Sequence, residues 1–232
     1  KNLSKRMLQT MPAIMMSYDM LEAHGKDIRA LPLTERREKL EKVIGAASDG
    51  VLRLSPTIGF DDWEQLDQIR QNARQFHTEG IMLKRLESPY KSGRKKGDWW
   101  KWKIDPLTID AVLLYAQQGH GRRANLFTDY TFAVWNGDEL VPFAKAYSGL
   151  TDVEFQEITK YVRENTLDRF GPVRAVVPNL VFELAFEGIQ ASKRHKSGVA
   201  LRFPRMHRWR KDKHPKDANT LADLKEMLDL YG

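Results

Sequence analysis

Trp99-Trp100-Lys101-Trp102-Lys103-Ile104-Asp105, with Glu79-Gly80-Ile81-Met82-Leu83-Lys84 shortly before it, decides how this chain is read. As a strand, the first stretch alternates. Trp100, Trp102 and Ile104 share one face, and Lys101 and Lys103 share the other. Two neighbouring ammonium groups repel unless something anionic lies between them. Three large apolar side chains behind them would fix the strand in a core and aim the lysines, and a phosphate is the natural target. A solvated lysine pair is the competing reading, because lysines two apart are common on exposed strands.

Outward from there, 232 residues leave room for one large or two modest domains. With 41% apolar and 30% charged residues the composition is that of a globular protein. A net charge of +7 agrees with an anionic partner without requiring one. The chain has no cysteine, which excludes disulfides, thiolate metal sites and cysteine nucleophiles. No apolar run reaches membrane-spanning length and no signal peptide is visible, so a cytoplasmic location is expected. The first residue is Lys1, which suggests a piece of something longer.

The first hundred residues mix helices and strands. Pro12 to Leu21 reads as a short buried strand ending in Tyr18-Asp19. Thr34 is placed to cap a helix with Leu33, Leu40, Val43 and Ile44 inward and Glu35, Arg36, Arg37 and Glu38 outward. Val51 to Leu54 reads as a strand. Asp61-Asp62-Trp63-Glu64 opens a second helix whose stripe is Trp63, Leu66, Ile69 or Arg70, Ala73 and Phe76. Asp105-Pro106 marks a change of texture to short strands. Asn136-Gly137 between apolar runs is a hairpin turn, and Thr151-Asp152-Val153-Glu154 is a capping box. Strands interrupted by one helix predict a small Greek-key barrel of the OB type, followed by a helix from Thr220 to Tyr231 that packs back on it. The predicted division is 1–105 and 106–232, and the fold class α+β.

Glu79 is the only acidic residue in an otherwise apolar predicted strand, Glu79 to Arg85. Its carboxylate suits Mg²⁺, which prefers hard oxygen ligands and bridges to phosphates. On spacing alone, a strand-edge ion pair with Lys84 or His77 is the favoured explanation, since one glutamate makes no metal site by itself. The loop holding Lys91, Arg94, Lys95 and Lys96 is basic and glycine-containing, as is the one holding Lys193, Arg194 and Lys196; each is either a phosphate-contacting loop or a solvated charge run. In Leu201-Arg202-Phe203-Pro204-Arg205, continuing to Arg210-Lys211-Asp212-Lys213, arginines alternate with aromatic residues, which favours ordered guanidinium groups over a floppy tail. The six histidines show no metal-ligand spacing.

These segments, in this order, resemble the sequence blocks of the ATP-dependent DNA ligases of the covalent nucleotidyltransferase superfamily, bacterial type. Tyr18-Asp19-Met20-Leu21 to Arg36-Arg37, Glu79 to Lys84, Trp100 to Lys103, and Phe182-Glu183-Leu184 to Arg202-Phe203-Pro204-Arg205 and Arg210 to Lys213 carry the likeness. The resemblance implies part of an ATP-grasp-like adenylation domain followed by an OB-fold. It implies Tyr18 stacked on adenine with Met82 on the other side. Lys84, Lys101, Lys103 and Arg94 would contact the nucleotide, Lys101 and Lys103 in catalysis. Glu79 would bind Mg²⁺ or Mn²⁺. Lys193, Lys196, Arg202, Arg205, Arg210 and Lys213 would contact DNA or pyrophosphate. Implied too are ATP as AMP donor, nicked duplex DNA as partner, a monomer, and a cytoplasmic, nucleoid-associated bacterial protein.

Two departures follow. The family's nucleophile is a lysine in K-x-D-G, which is absent here; the one Asp-Gly pair, Asp49-Gly50, follows Ala47-Ser48. The chain alone is therefore expected not to form lysyl-AMP. Lys211 stands where an acidic residue is usual. The alternatives are an RNA ligase or capping-type nucleotidyltransferase, which share two of the blocks, and a non-catalytic nucleic-acid-binding OB-fold fragment.

Overall fold

A computed structural model describes residues 3–47 and 50–232; Asp49 of the Asp-Gly pair lies outside them. The chain divides into two units, residues 1–104 and 105–232.

The first unit runs α1 (Lys5–Thr10), β1 (Met15–Ser17), β2 (Glu22–Ala23), β3 (Lys26–Asp27), α2 (Leu33–Ala46), β4 (Leu52–Leu54), α3 (Trp63–Gln71), β5 (Gly80–Lys84) and β6 (Trp99–Lys103). β1 and β4 pair in parallel, and β5 and β6 pair antiparallel. Asp62 opens α3 by accepting the Gln65 amide at 2.8 Å. Ile28, Leu33, Leu40, Leu66 and Ala73 form the buried apolar set.

Several expectations need correction here. α2 begins at Leu33 with Pro32, not Thr34, as its cap. Arg36 does not point outward: it is wholly buried, because a carboxylate from another segment meets it. Val43 faces solvent instead of the core. The strand from the Pro12 to Leu21 stretch is only three residues long, and its Met15 and Met16 are exposed. Trp63 and Phe76 are also exposed, so the buried stripe narrows to Leu66 in α3 and Ala73 in the 3₁₀ turn that follows it.

The second unit runs β7 (Leu107–Gln118), β8 (Phe127–Asn136), β9 (Glu139–Ala146), α4 (Asp152–Glu164), β10 (Thr166–Phe170), β11 (Val173–Val176), β12 (Val181–Phe186), β13 (Gly188–Ala191), β14 (Val199–Arg202), β15 (Arg205–Trp209) and α5 (Leu221–Tyr231). β7 is long enough to pair with β8 on one edge and with β11 and β12 on the other; β9 extends from β8 and β15 from β12, all antiparallel. The sheet curls so that the Met206 amide of β15 donates to Ser148 O, just past β9, at 2.9 Å. Gly149 permits that approach: a Cβ there would lie 1.8 Å from Met206 O. With α4 inserted between the third strand and the later ones, the curled sheet is an OB-fold.

Its core holds Leu113, Tyr130, Phe132, Phe155, Ile158, Phe182, Leu184 and Met206. Thr151 and Glu154 form the capping box of α4, and Thr220 with Asp223 forms that of α5. Leu224 of α5 is fully buried in the same core, so the last helix does pack back on the barrel.

Candidate functional site

The register of β5 on β6 sets the chemistry of the first unit. Lys84 lies opposite Trp99, Met82 opposite Lys101, and Gly80 opposite Lys103. Directly opposed residues point to the same side of an antiparallel pair. One face therefore carries Lys84, Met82, Lys101 and Lys103 together with Trp99. Four residue steps separate its ends, about 13 Å at roughly 3.3 Å per residue. Gly80 is obligatory: its φ is +138°, and a Cβ would lie 2.3 Å from Trp102 O.

The opposite face carries Ile81, Leu83, Trp100 and Trp102. It is not the sealed core that alternation predicts, since Trp100 is 45% exposed. Trp102 is held instead between the edge-on ring of Trp63, at 6.1 Å, and the Arg70 guanidinium, 4.9 Å from the ring centre. Arg70 Nη1 also donates to Lys103 O at 2.8 Å. A cation over an indole and one backbone hydrogen bond brace the strand from behind.

At one end of the lysine face, Lys84 Nζ sits 4.5 Å from the Tyr18 ring centre and 4.2 Å from that of Trp99. Burial lowers the Lys84 pKa; Asp19 opposes that shift, and Arg37 and Arg36 add to it. Tyr90 meets Trp99 edge-on at 5.4 Å. The nearby Tyr90, ahead of burial, raises the Tyr18 phenol. Tyr18 is anchored through its neighbour. Asp19 Oδ1 and Oδ2 accept from Arg36 Nε and Nη2 at 2.8 and 2.9 Å, and Arg36 Nη1 donates to Ser88 O at 2.9 Å and to Leu31 O. Ser88 in turn accepts from Trp99 Nε1 at 3.2 Å. One buried arginine thus ties Tyr18 to the far side of the same notch.

At the other end, Glu79 Oε2 pairs with Lys103 Nζ at 2.9 Å, rather than with the Lys84 or His77 that its sequence neighbourhood suggests. Among the described residues no group of three or more His, Asp or Glu side chains stands ready for a metal. A single carboxylate beside lysines fits a Mg²⁺ or Mn²⁺ ion that takes its other ligands from phosphate and water. Lys101 and Met82 are exposed between the two ends. Arg94 is exposed in the loop between β5 and β6 and joins none of these contacts.

In the second unit the basic residues divide. Arg210 and Lys213 converge on Asp110: Arg210 Nη1 donates to its Oδ2 at 3.1 Å and Lys213 Nζ at 2.6 Å. Arg210 also grips Asp212 through Nε and Nη2 at 3.0 and 2.8 Å, hydrogen bonds that raise its own pKa and hold the Asp212 carboxyl at about 2. Arg205 Nη1 donates to Glu187 at 3.0 Å. The Arg202 guanidinium lies 5.2 Å from the Phe203 ring centre. Lys193 and Lys196 are exposed in the loop between β13 and β14. Lys211 pairs with Glu157 at 2.7 Å and lies 4.2 Å over Trp209, which gives the unusual residue a local role.

Sequence reasoning missed Trp99, Tyr90, Ser88, the Asp19–Arg36 clamp and Asp110. Trp99 shares the parity of Lys101 and Lys103, so the same alternation that aimed the lysines also aimed it.

Comparison with known proteins matches both parts of the chain. Residues 1–103 match the family model described as "ATP dependent DNA ligase domain", and residues 123–213 match "ATP dependent DNA ligase C terminal region". A "Probable DNA ligase" of Koribacter versatilis is 37% identical over 251 residues, covering 98% of this chain and 43% of the relative. Another from Opitutus terrae is 35% identical, covering 95% of this chain and 25% of its own. The chain thus spans less than half the length of these curated relatives. A solved Lig E DNA ligase, described as showing DNA binding with a minimal scaffold, shares the fold with a TM-score of 0.60 at 17% identity, over 84% of this chain and 62% of that one. With both ligase segments matched in order and bacterial relatives of this type alongside, the chain belongs to the ATP-dependent DNA ligase family.

Proposed function

We propose that the chain supplies part of the adenylation domain (1–105) and the OB-fold domain (106–232) of a DNA ligase. The complete protein would seal 5′-phosphate, 3′-hydroxyl nicks in duplex DNA through enzyme-AMP and DNA-adenylate intermediates, with ATP as AMP donor. The observation behind this reading is the shared face of Lys84, Met82, Lys101 and Lys103, closed at one end by Tyr18 and Trp99 and at the other by Glu79. Aromatic rings and a thioether suit a base; ammonium groups suit phosphate.

In this reading Tyr18 and Met82 receive the adenine, and Lys84 leaves its aromatic notch to meet phosphate. Lys101 and Lys103 hold charge that grows on the phosphate oxygens as the phosphorus is displaced, the kind of preorganised electrostatic help that single donors supply by a factor of about 10²–10³. A divalent ion beside Glu79 would neutralise further phosphate charge. No protein acid or base of unusual pKa is needed.

The test is nick sealing by the native protein that carries this chain, with ATP and Mg²⁺. Lys101→Ala is expected to cut the rate of adenylation at least about 10²-fold. Sealing at the normal rate would remove the face from the chemistry. The chain alone, lacking K-x-D-G, is expected to take no covalent label from α-labelled ATP yet to bind DNA. Exposed Lys193, Lys196 and Arg202 favour that binding role for the isolated piece.

A further inference from the structure

Between α4 and the β10–β11 hairpin the OB-fold holds a cavity of about 250 Å³. Gln118 of β7, Phe127 of β8, Arg163 of α4, Arg169 of β10 and Arg174 of β11 line it, and no carboxylate does. None of these residues belongs to the β5–β6 face or to the cluster around Asp110.

The arrangement of the three arginines is unusual for a surface. Arg169 and Arg174 are direct partners in the β10–β11 register. Like charges placed directly opposite across two strands are destabilising. Folded proteins commonly relieve such a pair with a carboxylate, yet among the described residues none of the three arginines makes an ion pair. Asp168, next in sequence, spends one carboxylate oxygen on the backbone amide of Arg169, at 2.7 Å.

Carbonyl oxygens aim the other two guanidinium groups without neutralising them. Arg163 Nη2 donates to Asn125 O at 2.7 Å. Arg174 Nη1 donates to Gly171 O at 2.6 Å and to Val173 O at 3.1 Å, and its guanidinium lies 6.0 Å from the centre of the Phe127 ring. Guanidinium groups fixed in this way have lost their rotational freedom in advance and keep donors for a ligand. Planar forks of this kind match phosphate oxygens two at a time.

We propose that this cavity is a phosphate-binding subsite, with Arg163, Arg169 and Arg174 as its ligands. The phosphate is either a backbone phosphodiester of DNA or a free inorganic phosphate. The site stands on the arginine geometry alone; only the choice of DNA as a probe rests on the ligase reading.

The experiment uses the full 232-residue chain and its Arg169→Gln variant in two arms. In the first, thermal unfolding is followed with and without inorganic phosphate at constant ionic strength. Phosphate is expected to raise the Tm of the wild type and to raise that of R169Q much less. Without phosphate, R169Q is expected to melt no lower than wild type, because a like-charge pair has been removed. In the second arm, fluorescence anisotropy measures binding to a labelled nicked duplex across salt concentrations. Loss of one phosphodiester contact lowers the slope of log K against log salt by about 0.9 and weakens binding several-fold.

Effects in both arms support a subsite that takes the DNA backbone. An effect of phosphate with unchanged DNA binding supports the subsite and assigns it to free phosphate. No difference between wild type and R169Q in either arm overturns the proposal. Should R169Q melt lower in phosphate-free buffer, Arg163→Gln on α4 is read in its place, with the same outcomes deciding.

Discussion

The carboxylate of Asp19 meets the guanidinium of Arg36 at two points, 2.8 and 2.9 Å, with both side chains almost wholly out of reach of solvent. Removing one partner strands a buried charge, which costs about 3–5 kcal/mol. Asp19→Ala and Arg36→Ala are each expected to lower the stability of the first unit by that amount in denaturant titration. The double change to Asp19→Asn and Arg36→Met should cost clearly less than the sum. Additive losses would mean that the two residues do not act as a pair.

Gly80→Ala tests whether the register of β5 on β6 is needed for the lysine face. The new methyl group meets Trp102 O in a backbone conformation that alanine avoids. A loss of more than about 1 kcal/mol is expected, together with weaker nucleotide binding as Lys103 shifts from Glu79. Full stability and full binding would show that the strands part without consequence.

Lys84 gives a pH signature. Burial holds its folded-state pKa below the ordinary 10.5. Between that lowered value and 10.5 the unfolded chain binds the extra proton, so stability rises with pH across the window. Lys84→Met removes this rise. An anionic nucleotide favours the charged form, so NMR titration of the side chain should give a higher pKa with AMP than without. Equal values would take Lys84 out of contact with phosphate.

The Asp110 cluster predicts a second limb, at acid pH, in which stability again rises with pH. Arg210 holds the Asp212 carboxyl at about 2, against an ordinary 3.8. The stability this contributes is complete above pH 3.8 and is lost as pH falls through about 2. Asp212→Asn should flatten that part of the stability profile. Asp110→Ala, which leaves Arg210 and Lys213 facing each other without their shared carboxylate, should cost about 3 kcal/mol at neutral pH.

Lys193 and Lys196 stand in solvent on the β13–β14 loop. Replacing both with Gln is expected to leave the melting temperature unchanged, weaken duplex binding and lower the salt slope by up to about 1.8. An unaltered slope would exclude the loop from the interface.

Local rules make much of this structure legible. Alternation locates β6 and aims its lysines; Asn136-Gly137 places the β8–β9 turn; Thr151 and Thr220 mark the starts of α4 and α5. What escapes depends on partners far away in sequence. Helical periodicity sends Arg36 outward, and it is Asp19, seventeen residues earlier, together with the carbonyl of distant Ser88 that draws it into the interior. Asp110 reads as an interruption in an apolar strand until Arg210 and Lys213 arrive from about a hundred residues later. β10 lacks the apolar beat that marks a strand, and β11 alternates over only four residues, Val173-Arg174-Ala175-Val176, too few to stand out. The tryptophan layer behind β6 is more open than alternation implies for a related reason: large rings also settle against arginine stems at an open surface.

The convergence on Asp110 changes where the molecule's field comes from. A tally along the chain credits Arg210 and Lys213 to the basic excess, but both are moored to an anion of their own and project little into solvent. Attraction of a distant polyanion then falls to cations whose counter-ions are only salt and water, among them those on the β13–β14 loop and the arginines beside the β10–β11 hairpin. First encounter and final grip would accordingly be the work of different residues.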